Sequence, residues 1–334
     1  MKSPRCILVA FLCLISSAFA AGDAKPFLGS WALDLPGSGA GWLGVAEKDG
    51  VLQASLLWGG GSVEPVTSAS IDGDTLTVVK KSKWTKKETS GKEQVISSTR
   101  TITAKRSGNT LAMTSSFIGT EEPKGKKETF KGTFLPPPPS APDLSKLRYG
   151  APIVLFNGKD LSGWKLLNPT DVNGWSVEDG VLINRPVQEE GKTHKHYGNL
   201  RTVAEFSDFN LRLEARPTAG SNSGVYLRGI YEVQILDSYG KPLDSHNMGA
   251  LYSRIRPSAA AEKPAGEWQS LDITLAKRHL TVVLNGTTII DNQPMLGCTG
   301  GALWSDVFRP GPIYLQGDHS QIDYRNIVLR PVLE

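Results

Sequence analysis

Cysteine is almost missing from this chain. Of three cysteines in 334 residues, Cys6 and Cys13 fall inside an amino-terminal leader, which leaves Cys298 alone. No intramolecular disulfide can form, and stability has to come from packing. Cys298 has no helix terminus or evident cation beside it and reads as an inert thiol. Helical periodicity of any length is also missing, so bundles and helix-covered parallel sheets are not expected. Long apolar runs are lacking too. The one candidate, Ile7 to Ile15, is short for a membrane span. It follows Lys2 and Arg5 and precedes Ala18-Phe19-Ala20, which is the order of a secretory signal over residues 1–20. A lipoprotein reading fails because Phe11 and Leu12 precede Cys13 where small residues are wanted. The expected location is secreted, periplasmic or extracellular, with the mature chain starting near Ala21.

Charge of one sign is scarce as well. The formal net charge is +4, and loss of Lys2 and Arg5 with the leader lowers it to about +2, too little for an electrostatic nucleic-acid binder. The lysine cluster at Lys80, Lys81, Lys83, Lys86 and Lys87 reads as a solvated hairpin tip, since only Trp84 accompanies it as a stacking surface.

What is present is β-strand. "LPPPPSAPD", residues 135–143, marks a boundary because consecutive prolines cannot join a sheet ladder. Residues 135–150 therefore read as a linker between two β-rich parts. Before it, residues 25–134 hold short strands split by Asp-Gly turns, an up-and-down meander or small barrel. Trp31 reads as a core plug there. No paired carboxylates, histidine or ligand cluster appears in this part, so it reads as accessory. After the linker, residues 151–332 carry many alternating strands with Gly and Pro turns. Asn285-Gly286 is the strongest hairpin signal among them. The pattern predicts an all-β, two-sheet sandwich or jelly roll.

One hairpin gathers polar residues. In "SGVYLRGIYEVQILD", a three-residue turn over Gly229 to Tyr231 pairs Arg228 with Glu232 and Tyr226 with Gln234. Leu227, Val225, Val233 and Ile235 then share the opposite, apolar face. Tyr226, Arg228, Glu232 and Gln234 form a polar patch on this reading. The plain alternative is a solvent-facing Arg–Glu cross-strand pair, worth only ~0.2–1 kcal/mol.

The stretches "LFNGKDLSGW", "WSVEDGVL", "NSGVYLRG", "YEVQILDSYG", "GALY", "GEWQ", "LNGTTIID", "GPIYLQ" and "YRNI" occur in an order that resembles the 3-keto-disaccharide hydrolase family, long catalogued as a domain of unknown function. The resemblance covers residues 151–332 and leaves 25–134 unaddressed. It implies a concanavalin-A-like jelly roll and cleavage of glycosides already oxidised at the 3-hydroxyl. By position, Arg228, Glu232 and Gln234 match the family's strand pair, and Gln316 and His319 match its "LQ" followed by histidine. The stretch here, "LQGDHSQ", is one residue looser than that pattern.

That chemistry suits a strand offering Glu-x-Gln rather than two carboxylates, although Asp237 or Asp318 could complete a pair. A 3-keto group acidifies the C2 proton, so one base can drive elimination at C1. Glu232 is the candidate base, Arg228 the enolate stabiliser, Gln234 a hydroxyl-orienting group and His319 the leaving-group acid. Gln316 and His246 are further sugar-contacting candidates. Tyr226, Tyr239 and Trp304 could stack on a sugar face, whereas Trp164, Trp175 and Trp268 read as core. His194 and His196 have a spacing that can hold a metal, but no third ligand is nearby. Asp237 and Asp244, with His246, read either as an Asp-rich turn or as a calcium site. The expected partner is a carbohydrate, an oxidised disaccharide or glycoside. The alternative is a carbohydrate-binding module using the same face without turnover.

Overall fold

The computed structural model describes residues 23–37, 39–87, 93–189, 193 and 195–333. The leader at 1–20 and His194 lie outside the described residues. The described chain is all-β apart from two single-turn 3₁₀ helices.

Nine strands between Gly29 and Leu135 each pair antiparallel with a neighbour in sequence. Gly29–Asp34 also pairs with Glu122–Leu135. The connection between the two edge strands bonds both ways, Val66 N–H to Ala54 O and Thr67 N–H to Val79 O, so the meander curls closed. Turn chemistry sets the registers. Asp49 and Gly50 both take left-handed φ, 52° and 74°, the turn that Asp-Gly favours, and Lys48 then faces Val51. Period-two alternation buries Leu76 with Val78, Ile102 with Ala104 and Leu111 with Met113. Trp31 is fully buried among them.

Beyond the linker, two antiparallel sheets face each other. The larger runs in the order Trp175–Glu178, Val181–Asn184, Ile322–Leu333, Phe209–Pro217, Gln269–Ala276, His279–Leu284, Thr287–Pro294. The smaller runs Trp164–Leu166, Leu200–Thr202, Tyr314–Leu315, Asn222–Leu227, Tyr231–Leu236. Leu211, Ile273 and Val282 of the larger meet Val225, Val233 and Leu315 of the smaller in one core. Asn285 and Gly286, at φ 50° and 84°, make the hairpin that sets Leu284 opposite Thr287.

The key hairpin keeps its faces and changes its pairing. Arg228 and Gly229 both adopt left-handed φ, 55° and 69°, so the turn spans Arg228 to Ile230. Leu227 therefore pairs with Tyr231, Tyr226 with Glu232 and Gly224 with Gln234. The pairing slides by an even step, so parity is preserved: Tyr226, Glu232 and Gln234 share one face, while Val225, Leu227, Val233 and Ile235 share the other. Of the four residues expected in the patch, Arg228 is the one lifted out of the ladder.

The barrel packs against the sandwich. Ala32, Ala40, Trp42, Leu57 and Leu135 belong to the sandwich's own core. Trp42 Nε1–H donates to Leu296 O at 3.1 Å, and the Arg254 guanidinium sits 4.4 Å over the Trp42 ring. The linker is pinned too, by Arg278 to Pro136 O at 2.7 Å and Asn292 to Pro142 O at 2.8 Å.

Candidate active site

On the outer face of the smaller sheet, a cavity of about 280 Å³ collects Tyr226, Glu232, Gln234, Gln316 and His319, together with Asn199, Asn222, Tyr252, Tyr314 and Asp318. Its size is at the lower edge of the ~300–1,000 Å³ usual for small-molecule sites. Alternation explains the gathering: Asn222, Gly224 and Tyr226 are spaced by two on one strand, Glu232 and Gln234 on the next, and Tyr314 leads to Gln316 on a third.

Glu232 lies at the bottom, 4% exposed. Burial pushes its carboxyl up to about 8; the hydrogen bond from Tyr226 opposes this, and the Asp318 charge adds to the rise. Tyr226 Oη is 2.7 Å from Glu232 Oε2 and also 2.7 Å from Gly300 O. A phenol has one proton. With Glu232 protonated, its O–H donates to Tyr226 and Tyr226 donates to Gly300; with Glu232 ionised, Tyr226 turns to the carboxylate and the Gly300 carbonyl loses its donor. The Tyr226 hydrogen bond favours the ionised carboxylate and desolvation the neutral acid, and desolvation is the larger effect. Tyr314 stacks on Tyr226, ring centroids 3.9 Å apart, and donates to Gly301 O at 2.5 Å.

Glycine makes room for the carboxylate. A Cβ on Gly224 would stand 2.4 Å from Glu232 Oε1, and one on Gly301 would stand 2.5 Å from Tyr226 Oη. Gln234 Nε2 donates to Asn222 Oδ1 at 2.9 Å, but the buried amide oxygens of Gln234 and Gln316 meet no protein donor. Such orphans are costly when dry, and they suit a ligand bearing hydroxyls. At the mouth, His319 Nδ1 lies 3.1 Å from Asp318 Oδ1, both side chains partly open to solvent.

Several expected site residues lie elsewhere. Arg228 is buried against the chain after Trp304, where its guanidinium donates to Val307 O at 2.9 Å and to Arg309 O. Left-handed φ at the turn aims it away from Glu232. Trp304 packs against the core beneath the Arg309 guanidinium, 3.9 Å from its ring, and does not line the cavity. Tyr239 stands exposed on the surface outside it. His246 sits behind the wall, edge-on to Tyr252 at 4.9 Å. Asp237 and Asp244 do not assemble a calcium site: Asp237 accepts the Gly220 N–H and Asp244 binds His246 Nδ1 at 2.5 Å. Among the described residues, no group of three or more His, Cys, Asp or Glu is placed to hold a metal. Trp164 and Trp175 are core, but Trp268 lies at the surface between Arg216 and Arg325. Cys298 is buried and its thiol is raised to about 11 by desolvation, which fits an inert thiol.

Sequence reasoning did not single out Asn199, Asn222, Tyr252 or Tyr314. Asn222 and Tyr314 could have been found by extending the alternation by one step along their strands. Tyr252 closes the quoted stretch "GALY", whereas Asn199 lies off the hairpin and no local pattern marks it.

Residues 151–330 match the family described as the 3-keto-alpha-glucoside-1,2-lyase-like domain. A curated 3-keto-disaccharide hydrolase from Bacteroides thetaiotaomicron is 27% identical over 166 residues, covering 42% of this chain and 57% of that protein. The chain thus spans a little over half the length of that relative. Two solved structures of Parabacteroides distasonis proteins, provisionally named glycosyl hydrolases, are also similar. One is 29% identical, covering 59% of this chain and 93% of its own, with a TM-score of 0.44. The other is 26% identical, covering 55% and 100%, with a TM-score of 0.42.

Proposed function

We propose that this chain, which belongs to the 3-keto-alpha-glucoside-1,2-lyase-like domain family, cleaves glycosides whose sugar ring carries a ketone at C3. The observation that carries this reading is Glu232, a buried carboxyl held up to about 8 at the bottom of a polar, ring-sized cavity. The proton at C2, next to a ketone, calls for a base stronger than an ordinary carboxylate, and a catalytic pKa near the working pH is the efficient choice.

In this reading Glu232 removes the C2 proton, and the C–H electron pair becomes the enolate on O3. As the C3 carbonyl re-forms, the C1=C2 double bond forms and the C1–O bond breaks. The leaving oxygen keeps that electron pair and takes a proton from His319. Water adding across C1=C2 returns the 3-keto sugar and completes a hydrolysis; without that step the protein is a lyase. Arg228 has no part in it. Hydroxyl and amide donors from Tyr252, Asn222, Gln234 and Gln316 serve the enolate oxygen and the ring hydroxyls, and Tyr226 passes its hydrogen bond between Glu232 and Gly300 as the proton comes and goes.

Asp318 in the same cavity favours a second reading, direct hydrolysis by two carboxylates. One experiment separates the two. The purified protein is given a disaccharide and its 3-keto form in heavy water. Turnover of the keto form alone, with deuterium at C2 of the product, supports elimination. Turnover with no deuterium at C2 supports direct displacement, and no turnover of either overturns the enzymatic reading. Export belongs to the proposal as well: a mature amino terminus near Ala21, read by sequencing the exported protein, is its test.

A further inference from the structure

We infer that the amino-terminal barrel is a working wall of this cavity, and that its Gly60-Gly61-Ser62 segment positions the occupant. This rests on the cavity being the site proposed above. Gly60 and Gly61 line the same space as Glu232, although the barrel lies outside the matched residues 151–330. The contact is backbone against backbone: a Cβ on Gly300 would stand 2.0 Å from Gly61 O and 2.7 Å from Gly61 N. Gly300 is the residue whose carbonyl accepts from Tyr226. The barrel therefore comes within one residue of the hydrogen-bond chain that serves Glu232.

The segment is also tied down. Ser62 Oγ lies 2.9 Å from His246 Nε2 and 3.4 Å from Tyr252 Oη, and Val63 N–H donates to Ser253 Oγ at 2.9 Å. Tyr252 is itself a cavity wall, and its N–H donates to Glu232 O at 3.0 Å. A tether from the barrel thus holds the residue whose N–H bonds the backbone carbonyl of the base. Because Gly61 and Gly300 touch with no side chain between them, a sugar chain cannot pass between the two parts of the protein at that point. The ring is bounded on the barrel side, and the leaving group exits toward Asp318 and His319.

Gly61→Asn in the full chain tests this. Gly61 has φ 67°, and a Cβ there meets nothing within 4 Å. Asparagine tolerates that conformation, so the variant should fold while adding bulk to the wall. The control is Gly73→Asn, a barrel turn at φ 55° with equally open space and no place on the cavity. With methyl 3-keto-α-glucoside, Gly61→Asn should raise KM about tenfold with kcat little changed, the signature of lost uniform binding. The pH at which kcat rises should stay put, and Gly73→Asn should match the wild type. Ser62→Ala should raise KM in the same direction, and Ser62→Thr should restore it. Unchanged KM in Gly61→Asn, or the same rise in Gly73→Asn, overturns the inference while leaving the chemistry standing. If the wild type binds the keto sugar without turning it over, the chemistry falls and the wall is judged on Kd by the same comparison. Neither binding nor turnover in the wild type overturns both.

Discussion

Tyr226 Oη stands 2.7 Å from Glu232 Oε2 while remaining 2.7 Å from the carbonyl of Gly300, so a single phenolic proton serves two acceptors. Which one it serves depends on whether Glu232 carries a proton. The pair is therefore a reporter of the charge state of the base, and its members are the first to alter.

Glu232→Gln keeps size and polarity and can still meet Tyr226, but it cannot accept a proton from carbon. Turnover should fall by about 10²–10⁴ while the keto sugar still binds, measured by steady-state kinetics and equilibrium binding. An active variant would move the search to Asp318.

Tyr226→Phe removes the hydrogen bond that favours the ionised form of Glu232. The carboxyl should rise further, so the pH at which kcat climbs should move to higher values than in the wild type. A pH–rate profile reads this directly, and a shift toward lower pH would contradict the assigned roles.

Stability should respond to Glu232 with a definite sign. Its pKa is raised from 4.5 to about 8 on folding, so between those values the folded protein holds a proton that the unfolded chain has released. Stability then falls as pH rises through that window. Glu232→Gln removes the dependence, and should gain on the wild type by on the order of a few kcal/mol between pH 5 and pH 9. Denaturant melts at the two pH values measure the difference; a gain toward low pH would have the wrong sign.

Gly224→Ala would bring a Cβ to 2.4 Å from Glu232 Oε1 and 2.9 Å from its Cγ. The carboxylate must shift, and misplacement of about 1 Å can cost ~10² in rate. The expected outcome is a folded protein with kcat reduced by about that factor. Wild-type kcat would mean that the base does not need its present position.

Arg228→Met should weaken the fold rather than the chemistry. The substitution leaves the carbonyls of Val307 and Arg309 without their donor, at a cost of about 1–3 kcal/mol. Well below the melting temperature, turnover should match the wild type. A large loss of kcat at unchanged stability would return Arg228 to the mechanism.

The sequence by itself determined whatever period-two alternation and turn chemistry control. It made the chain all-β and placed Tyr226, Glu232 and Gln234 on one face, because a strand shows alternate residues to alternate sides whichever neighbour it pairs with. Tertiary structure decided what alternation leaves open. The pairing of the hairpin slid by an even step that no pattern of faces can detect, and left-handed φ at Arg228 turned a proposed catalytic cation into a buried anchor. Tyr252, Asp318 and the barrel's Gly60 and Gly61 joined Glu232 from distant parts of the chain, because a cavity is closed by whatever packs over a sheet. Such packing depends on long-range burial, here Trp42 and its neighbours in the shared core, and it leaves no periodic trace in the residues it brings together.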